Sequence, residues 1–457
     1  MIPVWAQVAY LAAAVCFVLS LKGLSSPKTA RAGTLVGAVG ALVAVIVTFI
    51  VYELDNLPWI LVAIAVGVAV GVPAARKVAM TAMPQLVALF NGVGGGAAAL
   101  VAYLELSDAE RVAPLAAAVT TVAIGSIAFS GSVVTFLKLQ ELMTTRPVLL
   151  PNGPVLFGGS LVVTAALLVS LYAIDGDSLL LGAILAAVAL AVGVLLVLPV
   201  GGADVPIVIS LLNATTGLAV AAGGYVLGNV LLLIGGTLVG ASGTILTRLM
   251  AEAMGRSVAA ILFGAFSSAT GGGGGGGESD RPVRSAGPED VAILLGFARK
   301  VIVVPGYGLA VAQAQHTVQE LADLLESRGV DVSYAIHPVA GRMPGHMNVL
   351  LAEANVPYER LMEMDAANPE LRTADVALVV GANDVVNPAA KTSPSAPIYG
   401  MPILEVDQAK AVVFLKRSMR PGFAGISNEL LYDPKTTLLF GDAKESLTKL
   451  IAAVKNL

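Results

Sequence analysis

Long apolar runs fill the first part of the chain, and they constrain its fold more than any other feature. A helix needs about 17–25 mostly apolar residues to cross a bilayer, where only structures that pair their backbone amides internally persist. These runs predict a polytopic α-helical membrane domain of about nine spans over residues 1–264. The runs lie near Pro3–Leu21, Gly33–Tyr52, Pro58–Pro73, Pro84–Leu104, Pro114–Leu137, Pro154–Ile174, Ser178–Pro199, Pro206–Gly224 and Gly228–Leu249.

Charged residues in the predicted loops alternate along the chain. One set of loops carries nine basic residues, among them Lys138, and the intervening set carries one. Because basic loops stay in the cytoplasm, the alternation predicts an N-terminus outside and everything after Leu249 in the cytoplasm. We therefore expect a multi-pass protein of the inner (plasma) membrane of the cell, in contact with the lipid bilayer.

An unbroken glycine run, Gly271–Gly277, separates the apolar part from the rest of the chain. Glycine-rich chains behave as flexible coils, so residues 265–289 are predicted to form a flexible linker. Two interpretations stay open. The segment is either a passive tether or a connection that lets the following domain move relative to the membrane.

The composition changes after this linker. Ten of the 27 basic and ten of the 31 acidic residues lie before Gly271, so the remaining 17 and 21 carry the whole net charge of −4. Short β-branched runs alternate there with helical segments, which predicts a Rossmann-like domain with a doubly wound parallel sheet over residues 290–457. The predicted strands are Lys300–Val304, Val332–Ile336, Val376–Val380, Ala411–Leu415 and Thr437–Phe440, and the predicted helices are Leu309–Ser327, Met347–Ala354, Met401–Ala409 and Ala443–Val454.

Several kinds of partner are excluded by composition. Neither part of the chain is basic enough to indicate nucleic acid. Cys16 is the only cysteine, which excludes a disulfide framework and a cysteine-based metal site, and no metal site is predicted.

The first predicted strand of the α/β domain runs into a G-x-G turn, Gly306-Tyr307-Gly308, that opens a helix. A dinucleotide pyrophosphate binds to backbone N–H groups in this context. The third glycine of the fingerprint is replaced by Val311, so the motif alone is weak, and the flanking strand and helix strengthen it.

The second indication of a nucleotide site is a cluster of basic residues at the end of a predicted strand. An NAD site would place Asp or Glu at the end of the second strand, but that strand ends in Ile336-His337. Lys416, Arg417 and Ser418 instead follow the strand Ala411–Leu415, where they suit a 2′-phosphate. A solvated strand end is the alternative, and in this setting NADP is favoured over NAD.

Within the spans, the sequence shows amides and hydroxyls rather than charged side chains. All three histidines (His316, His337 and His346) lie in the α/β domain. Buried ionisable groups in membranes are costly and mark ion paths, so their scarcity here is informative. Hydrogen bonds between packed helices are the alternative role for the polar residues of the spans.

Several longer segments together resemble the beta subunit of proton-translocating NAD(P) transhydrogenase, over essentially the whole chain. The resemblance implies that the α/β domain binds NADP(H), that a separate alpha partner with its own membrane helices binds NAD(H), and that a dimer of such heteromers forms. Hydride transfer would be coupled to inward proton translocation. The segments are Gly306–Gln315, His337–Asn348, Gly381–Pro388, Lys416–Met419, Gly441–Lys444, Gly202–Asn213 and Gly240–Gly243.

The resemblance also implies roles for particular residues. It places Asp384, His337 and Arg342 on the nicotinamide side, and it identifies Gly422–Asn428 as a lid over a nucleotide bound in reversed orientation. The cofactor-binding set that it implies is Gly306, Tyr307, Gly308, Ala310, Val311, Gly381, Asn383, Asp384, Lys416, Arg417, Ser418, Gly425, Gly441 and Asp442. Proton conduction and coupling fall to Asn91, Ser130, Asp204, Asn213 and Gly243.

One departure from the family pattern concerns Asn91, which stands where some members carry a proton-binding histidine. An amide does not titrate in water. We therefore expect the titrating group to come from a membrane helix of the alpha partner packed against Asn91, Ser130 and Asn213. Two other classes stay open: a transporter or channel gated by a nucleotide-sensing domain, and a membrane-anchored dehydrogenase.

Overall fold

The computed structural model describes most of the chain in two parts. The described residues are 3–25, 27–52, 54, 56–79, 82–106, 112–144, 147–173, 178–201, 204–254, 257–267, 281–341, 345–394, 396, 398–422 and 424–457. Residues 268–280, the larger part of the predicted linker, lie outside them, so its boundaries stay a prediction.

Within the described residues, nine helices are long and apolar enough to cross a membrane, which confirms the predicted number. They are α1 (Val4–Gly23), α2 (Pro27–Val51), α3 (Leu57–Lys77), α4 (Met83–Leu104), α5 (Val112–Leu139), α6 (Gly153–Ala173), α7 (Ser178–Val197), α8 (Val205–Val226) and α9 (Val230–Ala253). A tenth, shorter helix, α10, spans Val258–Ser267.

The helices α5 and α8 lie at the centre of the membrane part and pack against α4, α7 and α9. The close approach of α5 and α7 depends on glycine. A Cβ at Gly193 of α7 would lie 2.4 Å from the Ile127 carbonyl oxygen of α5. At the other extreme, α3 has no buried residue. Its apolar side chains are suited to lipid, which solvates them as well as a protein core does.

One basic residue is placed differently from the prediction. Lys138 was expected in a loop, but α5 continues to Leu139 and the Lys138 side chain is fully buried. The helix extends two residues beyond the predicted Leu137, and the Lys138 ammonium finds hydrogen-bond acceptors at the end of α7.

The C-terminal part contains a six-stranded sheet in the order β3-β2-β1-β4-β5-β6, with all neighbouring strands parallel. This order confirms the predicted doubly wound, Rossmann-like fold. The strands are β1 (Lys300–Pro305), β2 (Asp331–Ile336), β3 (Leu361–Glu363), β4 (Val376–Val380), β5 (Ala411–Lys416) and β6 (Thr436–Phe440). The helices are α11 (Pro288–Gly296), α12 (Tyr307–Val311), α13 (Gln315–Ser327), α14 (His346–Glu353), α15 (Met364–Leu371), α16 (Ala389–Thr392) and α17 (Ala443–Lys455).

Alternate residues of each central strand point to opposite faces of the sheet, and both faces are covered. Val301 and Val303 of β1 belong to a core that includes α11, α13 and α17, whereas Ile302 and Val304 belong to a second core on the other face. Strands buried on both faces read as continuous β-branched runs, which is why β1, β4 and β5 could be predicted.

Two predicted helices differ from the structure. The predicted helix Leu309–Ser327 is interrupted by Gln313, which has a φ of 49°, a left-handed conformation that ends α12. The predicted helix Met401–Ala409 is wrong: this segment is extended and ends in a single 3₁₀ turn. There, the Asn368 side chain accepts a hydrogen bond from the Glu405 backbone N–H, 2.9 Å away, so the backbone is paired without a helix.

A third apolar cluster joins the two parts of the chain. Ile207 at the start of α8 and Met254 after α9 pack in one buried cluster with Ala390, Ile398 and Met401 of the α/β domain. The carboxyl edge of the sheet, where such folds bind ligands, therefore faces the ends of the membrane helices.

Candidate functional site

The site begins where β1 and β4 lie side by side, at the point where the strand order reverses. The turns that follow these strands are hydrogen-bonded to each other: Gly306 N–H donates to the Val380 carbonyl and Gly308 N–H to the Gly381 carbonyl, both at 2.9 Å. Open α/β sheets bind ligands in the crevice at this position.

This contact requires glycine on both sides. A Cβ at Gly308 would lie 2.7 Å from the Gly381 Cα, and a Cβ at Gly381 would lie 2.3 Å from the Leu309 nitrogen. Gly381 also has a φ of 71°, which side-chain-bearing residues rarely adopt. The predicted G-x-G turn is therefore built against a second glycine turn rather than standing alone.

Two cavities adjoin this contact and share Gly308, Asn383 and Gly422 in their walls. The first has a volume of about 440 Å³ and also contains Tyr307 and Asp384. The second has a volume of about 590 Å³ and extends toward the end of β5. A long ligand can therefore cross the glycine turn with one end in each cavity.

The predicted basic cluster lines the second cavity. Lys416, Arg417 and Ser418 all face it, together with Val311 and the turn after β6. Lys416 Nζ donates to Asn383 Oδ1 at 2.9 Å and to the Arg420 carbonyl at 3.1 Å. Burial lowers the pKa of the Lys416 ammonium, and the nearby Asp384 carboxylate opposes that shift.

Asp384 connects the first cavity to the segment identified as a lid. Its Oδ2 accepts a hydrogen bond from the Ala424 N–H at 2.8 Å, and its Oδ1 accepts one from the Asn383 side chain at 2.9 Å. The Asn428 side chain, at the far end of the lid, donates to the Asn383 carbonyl at 3.0 Å. Gly425 lies between these anchors with a φ of 72° and no atom near its Cβ position.

The remaining cofactor-binding candidates lie in the first cavity, in the second cavity or beneath the turn. Tyr307 lines the first cavity, and Gly441 and Asp442 line the second. The Asp442 side chain also caps α17 by accepting the Lys444 N–H at 2.9 Å. Ala310 is fully buried beneath the turn and lines neither of these two cavities.

His337 does not line either of these cavities, although it was predicted on the nicotinamide side. Its buried ring donates from Nε2 to the Pro402 carbonyl at 2.8 Å and accepts the Val339 N–H at Nδ1, 3.2 Å away. Burial lowers the pKa of His337 to about 4, against the opposing hydrogen bond to Pro402. The geometry is that of a neutral residue that holds the segment between α16 and β5 in place. Arg342 lies outside the described residues.

The first cavity also has walls formed by residues that were not among the predicted cofactor-binding residues. Val339, Ala340 and Gly341 line it from the loop after β2, while Leu139 and Pro206 line it from the membrane helices. Val339–Gly341 and Pro206 fall within two of the segments that carry the resemblance, whereas Leu139 lies in none of them and only the packing of the two parts identifies it.

The five membrane residues expected to conduct protons are distributed over α4, α5, α8 and α9 and the residue before α8. Asn91 is buried and donates to Ser132 Oγ at 2.9 Å, and its Oδ1 accepts no hydrogen bond from the described residues. Ser130 instead donates to the Ser126 carbonyl of its own helix at 3.1 Å. Asn91 and Ser130 are both buried within this chain, whereas Asn213 is half-buried, and packing of a partner helix against these three residues stays a prediction.

The other three members of that set lie on α8 and α9. Asp204 is buried at the residue before α8. Asn213 lies in the middle of α8 and is half-buried. A Cβ at Gly243 would lie 3.0 Å from Ala214, so this glycine allows α8 and α9 to pack closely. Its carbonyl accepts a hydrogen bond from Ser210 at 3.3 Å.

Comparison with known proteins agrees with this arrangement of a membrane bundle and a nucleotide-type crevice. The family described as NAD(P) transhydrogenase beta subunit matches residues 6–453. The chain belongs to this family. The NAD(P) transhydrogenase subunit beta of Rhodospirillum rubrum is 48% identical over 457 residues, covering 98% of both chains, and the same subunit from a named strain of that species matches equally.

Membership confirms the predicted resemblance and the predicted class of enzyme, an oxidoreductase that acts on NAD(P). A beta subunit implies an alpha-subunit partner, and the nine apolar helices agree with a multi-pass membrane protein. The interpretations as a gated channel or a membrane-anchored dehydrogenase are not favoured.

Proposed function

We propose that the α/β domain of this chain binds NADP(H) across the two cavities, with the 2′-phosphate beside Lys416, Arg417 and Ser418. The observation that carries the proposal is the position of these three residues, which line the same cavity at the carboxyl end of β5. Charge-assisted bonds to phosphate are the strong ones, and no carboxylate follows β2 to hold a ribose diol instead.

The positions of the two cavities support a reversed orientation of the nucleotide. The basic cluster follows β5, whereas Val339 and Tyr307, on the side of β1 and β2, line the first cavity. With the 2′-phosphate at β5, the nicotinamide end reaches the first cavity, beside Asp384. There, the Asp384 carboxylate orients the lid and Asn383, and the buried walls exclude water.

Hydride transfer requires a second nucleotide, which we assign to the alpha partner. The chain contains one G-x-G turn in a strand-turn-helix context. Leu139, Pro206 and Met254 of the membrane part line the first cavity, so this end faces the bundle. For NADP(H) to meet the partner's NAD(H), the α/β domain must turn away from the membrane, and residues 265–289 would serve as the linker.

Proton translocation supplies the free energy that drives this cycle. One proton moving down about 180 mV supplies about 4 kcal/mol, which shifts an equilibrium about a thousandfold. Coupling then requires that proton binding changes the relative affinity for the two forms of the cofactor, and such linkage is reciprocal. The buried amide of Asn91 does not titrate, so we assign the titrating group to the alpha partner, with the N-terminus of this chain outside and its α/β domain in the cytoplasm.

The test is hydride transfer from NADH to NADP⁺ in proteoliposomes containing this chain, with and without the alpha subunit. We expect turnover only with both subunits, stimulation by an imposed pH gradient, and a mass that fits two copies of each. Nucleotide binding without any hydride transfer would contradict the proposal and favour a gated channel.

A further inference from the structure

Lys138 lies in the last turn of α5 and, among the described residues of the membrane part, is the largest charged side chain that is buried. Its exposed fraction is 0%. A charged group within a membrane span is costly to retain, so its partners indicate its role.

The three partners of Lys138 are backbone carbonyls at the end of α7. Nζ donates to Val197 O at 3.0 Å, Leu198 O at 2.6 Å and Val200 O at 2.7 Å. An ammonium has three N–H donors, and the last carbonyls of a helix lack intrahelical donors, so each side satisfies the other. The positive charge also lies at the negative end of the helix dipole.

The next residue extends these contacts to a third helix. The Leu139 carbonyl accepts a hydrogen bond from the Gln85 side chain of α4 at 3.1 Å, and both residues at this contact are buried. Lys138 and Leu139 therefore tie the ends of α4, α5 and α7 to one another.

The elements fixed in this way form one wall of the first cavity. Leu139 lines the cavity directly. Val200, one of the three partners of Lys138, is followed in the chain by α8, and Pro206 of α8 also lines the cavity. Asp204, the buried carboxylate at the start of α8, lies in the same connection. The end of α7 is therefore linked to Leu139 by the Lys138 contacts and to Pro206 by the chain that enters α8.

We propose that Lys138 is a positioning residue that holds the membrane-side wall of the cofactor cavity, Leu139 and Pro206, in the arrangement that the docked α/β domain requires. The inference rests on the proposed NADP(H) site. On this proposal, Lys138 acts where the membrane ends line the cavity and NADP(H) would be released, and not in hydride transfer, for which the α/β domain would turn away from the membrane.

The experiment compares two reactions of the full chain with its alpha partner in proteoliposomes. The first is net NADH-to-NADP⁺ turnover, which needs release of NADPH in every cycle. The second is hydride exchange from NADH to an NAD⁺ analogue through NADP(H) that stays bound, which needs no release. Lys138→Met removes all three donors. Lys138→Arg keeps the charge and the donors and is the matched control.

We expect Lys138→Met to lower net turnover at least tenfold while the exchange reaction stays within twofold of the unmodified protein. Lys138→Arg should keep both rates within threefold. An equal fall in both reactions, or an unchanged net turnover, would overturn the proposal. If the unmodified protein supports neither reaction, the proposed function fails rather than the role of Lys138.

A second measurement guards against a variant that fails to fold. Met254 and Met401 belong to the same buried cluster, so cysteines at both positions, with Cys16→Ser, report docking through the yield of a disulfide cross-link. Lys138→Met should lower that yield at least threefold, and an unchanged yield counts against the proposal. If Lys138→Met does not accumulate, Lys138→Gln, with two donors and no charge, is judged by the same criteria.

Discussion

The α/β domain and the membrane bundle organise their polar side chains differently. In the α/β domain, Lys416, Asn383, Asp384 and the Ala424 N–H form one continuous hydrogen-bonded chain across two cavities. In the bundle, the polar contacts form separate small groups. Asn91 bonds to Ser132, Ser130 bonds to the carbonyl of Ser126 in its own helix, and Ser210 bonds to Thr247 and Gly243.

The difference follows from how each fold brings residues together. Parallel strands end at one edge of a sheet, so side chains far apart in sequence meet there. Helices in a bundle place polar residues at different depths, and their donors bond to nearby acceptors because no water is present. The α/β domain therefore contains a site of its own, whereas the bundle needs further groups to form a continuous path.

The sharpest test of the self-contained site is the double variant Lys416→Ala/Arg417→Ala. Each cation bonded to phosphate contributes about 1.5–3 kcal/mol, so the dissociation constant for NADP⁺ should rise at least a hundredfold, to roughly that for NAD⁺. Isothermal titration of the full chain with both nucleotides measures it. Lys449→Ala, an exposed lysine on α17, is the control, and an equal loss for NAD⁺ would refute the assignment of the 2′-phosphate.

A second test compares close packing in the two regions. Gly381→Ala forces a side chain onto a φ of 71° and into backbone 2.3 Å away, and should cost about 3 kcal/mol of stability. Gly193→Ala, whose Cβ would meet the Ile127 carbonyl at 2.4 Å, should cost about 2 kcal/mol.

Calorimetry of the purified chain would follow both unfolding transitions. Gly67→Ala in α3 is the matched control because no atom lies within 4 Å of its Cβ position, and it should leave both transitions unchanged. A Gly193→Ala variant as stable as this control would mean that α5 and α7 do not approach as closely as described.

A third test uses pH. We expect the stability of the α/β domain, and not that of the bundle, to depend on pH through His337. Its pKa in the folded state is about 4, below the ordinary value of 6.5, because burial disfavours the charged ring. The unfolded chain therefore binds the proton first, and stability present above pH 6.5 is lost as the pH falls toward 4. Between pH 7 and pH 5 the loss should be about 2 kcal/mol.

His337→Asn should remove this pH dependence while lowering stability at pH 7, and calorimetry at both pH values would show it. If the unmodified protein and the variant respond equally to pH, the titrating group is elsewhere.

The smallest effect is expected for a polar pair in the bundle. Ser132→Ala removes the acceptor of the Asn91 amide, and such pairs between membrane helices contribute about 0.6 kcal/mol. Thermal stability should barely change. A loss above about 2 kcal/mol would mean that the pair is part of a larger network, as in the α/β domain.

The sequence allowed the strand-end motifs to be predicted because each is continuous in the chain. Lys416–Ser418 and the turn Gly306–Gly308 each occupy three consecutive residues, and the structure brings them into one crevice. What could not be predicted depends on distant partners. The segment Met401–Ala409 resembles a helix, but Asn368 of α15 and His337 after β2 bond its backbone instead.

Lys138 illustrates the same limit in the membrane part. A lysine at the end of an apolar run is typical of an interfacial loop, and its location agrees with the charge alternation. Only the carbonyls of Val197, Leu198 and Val200, about 60 residues further along the chain, turn it into a buried residue.

The shared wall of the first cavity has a thermodynamic consequence. Since Leu139, Pro206 and Met254 line the cavity together with Asp384 and Tyr307, a ligand that fills it contacts both parts of the chain at once. Any molecule that binds only this assembled form stabilises it by mass action, by about 2.7 kcal/mol at a concentration one hundred times its dissociation constant. The heat resistance of the membrane helices should then depend on how much nucleotide is dissolved in the surrounding buffer.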